Sequence, residues 1–100
     1  MNDSTELLSR AIAHYGMRSQ MIVAVEELSE LQKELCKNLR NENNVDHIAE
    51  EIADVKIMLE QLEIVFGCTD SVRRWHNFKL QRLADRIRND GECDGSVKSE

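Results

Sequence analysis

Proline is absent from this 100-residue chain and glycine occurs four times. A β-sandwich or barrel needs many tight turns, so this scarcity excludes most all-β architectures and suits long helices. Aromatic residues make up 4% of the chain, which leaves Leu, Ile, Val and Met to build the core. The three cysteines, Cys36, Cys68 and Cys93, form no C-x-x-C pair. An odd, scattered set argues against a disulfide framework or a zinc site and fits a reducing cytoplasm. No basic excess is present: the formal charge is -6, a poor match for a nucleic-acid polymer. No apolar run approaches a membrane span, and the first residues, Met1-Asn2-Asp3-Ser4, lack the basic and apolar regions of a signal peptide.

What is present is helical periodicity. A first helix is predicted from about Ser4 to Tyr15, with Asp3 and Glu6 at capping-box spacing and Gly16 as its stop. A second runs from Met17 or Arg18 to Leu39, before the polar stretch Arg40-Asn41-Glu42-Asn43-Asn44. A third spans Val45 to Phe66 and ends at Gly67. A fourth, capped by Thr69 or Asp70, extends to about Asn89 with Gly91 beyond. Residues 1–89 are thus expected to form one domain and 90–100 a disordered tail.

Helix three carries Val45, Ile48, Ile52, Val55, Leu59, Leu62 and Phe66 at spacings of three and four, one apolar stripe. Met21, Ala24, Leu28, Leu31, Leu35 and Leu39 repeat the pattern on helix two. Val72, Trp75, Leu80, Leu83 and Ile87 give helix four a looser stripe. Helices two and three should pack antiparallel across their short loop, within an all-α, four-helix, bundle-like domain that oligomerisation would complete.

The acids fall into two pairs at i, i+3: Glu27 with Glu30 on helix two, and Glu51 with Asp54 on helix three. Like charges at this spacing repel. Glu51 lies roughly 60° and Asp54 roughly 120° from the centre of the apolar stripe, so both flank the core rather than oppose it. A partly buried carboxylate needs a partner or a metal, and all-oxygen ligands select hard cations such as Mg²⁺ or Mn²⁺. In an ideal antiparallel hairpin the two pairs are offset along the axis, so their convergence requires a stagger.

Glu26-Glu27-Leu28-Ser29-Glu30-Leu31, followed by Glu51-Ile52-Ala53-Asp54-Val55, resembles the E-E-x-x-E…E-x-x-D signature of MazG-like all-α nucleoside-triphosphate pyrophosphohydrolases, over roughly residues 5–88. The resemblance implies hydrolysis of a nucleoside or deoxynucleoside triphosphate to the monophosphate and pyrophosphate, a nucleotide-pool house-cleaning reaction. It implies catalysis through Mg²⁺ (or Mn²⁺) held by Glu27, Glu30, Glu51 and Asp54, with Glu26 and Glu50 in less constrained places. It also implies a homodimer or homotetramer with helices intertwined. Lys79 and Arg82, at i, i+3 on helix four, are candidate clamps for the substrate phosphates, with a solvated basic face as the alternative. Lys33, Lys37 and Lys56 are weaker candidates. Trp75 reads as a core or interface anchor rather than a base-stacking platform, and His14 and His47 as exposed polar residues. The competing functions are a non-catalytic helical adaptor and a phosphoribosyl-ATP pyrophosphatase-like enzyme. A di-iron bundle lacks its Glu-x-x-His motifs here.

Overall fold

The computed structural model describes residues 3–93, with side chains to residue 91. Four helices and no strands occur among them: α1 (Asp3–Tyr15), α2 (Met17–Leu39), α3 (Val45–Phe66) and α4 (Thr69–Cys93). The chain divides into two compact units, Met1–Gly67 and Cys68–Glu100.

The breaks between helices follow local chemistry. Gly16 separates α1 from α2 at φ 97°, ψ 147°, a conformation only glycine adopts without strain. Its amide donates to the Ile12 carbonyl (2.8 Å) and its carbonyl accepts from the Gln20 amide (3.1 Å), so one residue closes one helix and opens the next. Gly67 ends α3 in the left-handed region, φ 58°, ψ 39°. Two helix ends depart from expectation. The Cys68 carbonyl accepts from the Val72 amide, so α4 starts a residue earlier than a Thr69 or Asp70 cap implies, and Asp70 instead pairs with Arg73 at 2.9 Å. Its far end continues through Asp90 and Gly91 to Cys93. Gly91 is not among the glycines with positive φ and therefore makes no C-terminal stop. Glycine late in a helix costs only about 1 kcal/mol relative to alanine. The expected tail beyond Cys93 lies outside the described residues.

In the first unit α2 packs along α3 most extensively, and α1 lies against both. Leu8 and Ile12 of α1, Ala24 of α2, and Val55 and Met58 of α3 form the buried apolar core. The expected stripes are only partly buried. Ala24 and Val55 lie inside and Leu31, Ile48 and Leu62 are half-buried, whereas Met21, Leu28, Leu35, Ile52 and Leu59 are exposed. The seam is rotated by about one residue from the stripe. On α2 it follows Gln20, Ala24, Glu27, Leu31 and Glu34, and on α3 it includes Glu51, Val55, Met58 and Gln61. Both apolar stripes are wider than this one contact, which buries one edge of each.

On α4, Trp75 is 61% exposed, which corrects the core half of its reading as a core or interface anchor. Its ring meets Phe78 edge-on (5.9 Å between centroids), and the Lys79 ammonium lies 5.8 Å from its centroid. Both groups come from the next turn of the same helix, so Trp75 is covered locally.

Candidate metal centre

Two sets of polar contacts bridge α2 and α3. Near the open end of the hairpin, the Gln20 amide Nε2 donates to Gln61 Oε1 at 2.7 Å, with both residues buried. At the loop end, Asn44 Nδ2 donates to the Glu34 carboxylate (2.7 Å) and to the Glu34 carbonyl (2.9 Å). Asn38 Nδ2 donates to Asn44 Oδ1 (3.1 Å), and Lys37 pairs with Glu34 (3.2 Å). Asn44 immediately precedes α3, yet it meets α2 five residues before that helix ends at Leu39. The last turn of α2 therefore overshoots the start of α3, and loop 40–44 folds back along it. Asn41 at φ 70° and the Glu42 amide bonding to the Lys37 carbonyl (3.2 Å) make this return possible. The overshoot supplies the stagger that the acidic pairs require.

Seven residues, about two helical turns, separate Gln20 from Glu27 and Gln61 from Asp54 in opposite directions. Glu27 therefore comes opposite Asp54, and three residues further Glu30 comes level with Glu51. One carboxylate oxygen from each of Glu27, Glu51 and Asp54 lies within 4.8 Å of the other two, and all three residues are half-buried. Glu30 is exposed and stands outside this triad, although its charge still acts on Glu51. Glu26 and Glu50 point away as exposed residues, and Glu50 lies 3.7 Å from His47.

Glu51 is the focus of the triad. Its Oε1 is buried and has no hydrogen-bond partner. Loss of hydration and the adjacent charges of Glu27 and Asp54 hold its carboxyl above the ordinary glutamate range, with Glu30 adding to the effect. Ionised carboxylates only accept hydrogen bonds, so either a proton or a cation is needed to satisfy this cluster. The donor set fits a hard divalent ion. Opposed ligands of Mg²⁺ are separated by about 4.2 Å, from an Mg–O distance near 2.1 Å. The observed span of up to 4.8 Å is close to that separation. Three carboxylates leave further coordination positions for water or phosphate oxygens.

Glu34 shows the opposite electrostatics within the same seam. The hydrogen bond from Asn44 holds its carboxyl below the ordinary range against its desolvation, and Lys37 and His47 add to the lowering. Gln20, Glu34, Asn44 and Gln61 were not singled out as site-forming from the sequence. A signal existed: Gln20, Glu27 and Glu34 recur at heptad spacing beside Met21, Leu28 and Leu35. Lys79 and Arg82 are exposed residues of α4, in the second unit. Comparison of the chain with protein-family models, curated proteins and solved structures finds no match.

Proposed function

We propose that the first unit is a magnesium site and that the chain is a nucleoside-triphosphate pyrophosphohydrolase of the MazG-like type, releasing pyrophosphate from a nucleoside or deoxynucleoside triphosphate. The reading is carried by the convergence of Glu27, Glu51 and Asp54 around an unsatisfied buried oxygen. Apposing three ionised acids across a helix seam is unfavourable unless a cation or a proton offsets their repulsion, and a divalent cation does so with all three ionised. Bound there, Mg²⁺ supplies charge neutralisation and polarisation of a phosphate group. Glu27, Glu51 and Asp54 would hold the ion, and Glu30, at the exposed edge, would orient a water.

Exposed Leu28, Leu35, Ile52 and Leu59 support a homo-oligomer, because apolar faces of this kind mark protein contacts. The same residues favour a second reading, a non-catalytic helical adaptor, but that reading gives no reason for the acidic triad. Among the described residues no helix is long and apolar enough to cross a membrane, and the free thiols Cys36 and Cys68 fit a cytoplasmic setting. The test is pyrophosphate release from a panel of nucleoside and deoxynucleoside triphosphates, with and without Mg²⁺, by the native chain and by Asp54→Asn. The proposal requires Mg²⁺-dependent release that the variant loses. A native chain inert toward the whole panel, or a fully active Asp54→Asn, overturns it.

A further inference from the structure

The most deeply buried polar contact in the first unit joins two neutral amides. Gln20 and Gln61 are 7% and 4% exposed and bond at 2.7 Å. Gln61 Nε2 has only the Met58 sulfur, at 3.9 Å, as a further acceptor. Two leucines would fill such a position and bury more apolar surface, so the pair is a poor choice for stability alone. A buried amide pair has a different virtue: it is satisfied in one alignment and orphaned in every other. Helices whose apolar residues recur every three and four positions slide past one another into similar packings, and one polar pair selects among them.

Loop 40–44 and the Asn44–Glu34 contact tie the hairpin at one end only. Gln20–Gln61 ties the other, and Glu27 and Asp54 lie between, each seven residues from its glutamine. A slip of a single turn moves an acid about 5.4 Å along the axis, which separates the triad.

We infer that Gln20 and Gln61 are positioning residues, a registry lock that keeps Glu27 of α2 apposed to Glu51 and Asp54 of α3. The inference rests on the reading of these carboxylates as a cation site, but the alignment of the helices is measurable without any ion. The Gln20→Leu/Gln61→Leu double variant removes both amides at once and leaves no orphaned polar group, so the fold is retained. Mn²⁺ affinity, followed by electron paramagnetic resonance on the full chain, is expected to fall about tenfold or more in the double variant. In the metal-free double variant, methyl NMR spectra are expected to show more than one set of α2 and α3 signals, where the native chain shows one. A double variant with native Mn²⁺ affinity and a single signal set overturns the registry lock. If the native chain binds no Mn²⁺, the cation reading fails by itself, and the count of methyl signal sets still decides whether the amides set the alignment.

Discussion

The two faces of the α2–α3 hairpin differ in a way opposite to a simple inside–outside rule. The inner seam buries Gln20, Glu34, Asn44 and Gln61 and half-buries Glu27, Glu51 and Asp54, with Ala24, Val55 and Met58 as its buried apolar side chains. On the outer face Leu28, Leu35, Ile52 and Leu59 are each more than 40% exposed. Polar groups enter a seam only where hydrogen bonds or ions satisfy them, and apolar residues line a surface where another surface covers them. One face thus carries polar contacts between the helices, and the other is the apolar surface on which the proposed homo-oligomer rests.

The sharpest way to break this contrast is Glu51→Gln. It neutralises the acid with the unsatisfied oxygen and should lower Mg²⁺-dependent pyrophosphate release by about 10²-fold or more, the scale of several kcal/mol of transition-state charge stabilisation. The helical circular dichroism spectrum should be unchanged. On the outer face, Leu28→Asp with Ile52→Asp should convert the proposed homo-oligomer to monomer by sedimentation, a weakening of about two orders of magnitude. Retention of the native mass would place the contact elsewhere. In the core, Met58→Ala should cost about 2–5 kcal/mol in denaturant unfolding, because Met58 is 6% exposed and packs beside the Gln61 amide.

Acidity separates Glu51 from Glu34. Glu51 has a raised carboxyl pKa, so the metal-free fold binds a proton more tightly than the unfolded chain does. Its favourable contribution is complete below the ordinary glutamate value, near 4.5, and is lost as pH rises through the folded value. Glu34 is lowered, so its contribution is present above the ordinary value and is lost as pH falls through the folded one. Thermal unfolding without divalent ions should therefore show Glu51→Gln stabilised at neutral pH relative to the native chain. Glu34→Gln should be destabilised at neutral pH and approach the native chain in acid. The smallest effect is expected on α4, where Arg88→Ala removes an exposed pair with Asp85 (2.9 Å) and should shift stability by less than about 0.5 kcal/mol.

Much of this was legible in residue order. Gly16 and Gly67 mark helix breaks because the backbone there takes positive φ. Three- and four-residue spacings define α2 and α3, and the doubled acid pairs beside the apolar stripes mark Glu27, Glu30, Glu51 and Asp54, of which the structure brings Glu27, Glu51 and Asp54 together. Other features were not legible. Gly91 looks like a stop yet lies within α4, since glycine permits a left-handed turn without requiring one. Trp75 looks like a core residue yet is 61% exposed, beside Phe78 and Lys79.

Sequence by itself determined the four helices, the short loop between α2 and α3, and the presence of four acids beside apolar stripes, because these depend on backbone preferences and local periodicity. Only the tertiary structure decided which edge of each stripe is buried, how far α2 overshoots α3, and that Glu30 stands outside the triad while Glu51 lies within it. The physical reason is that an apolar stripe permits several rotations and slides of nearly equal burial. Paired amides and the Asn44–Glu34 contact are satisfied in one of them, and they select it.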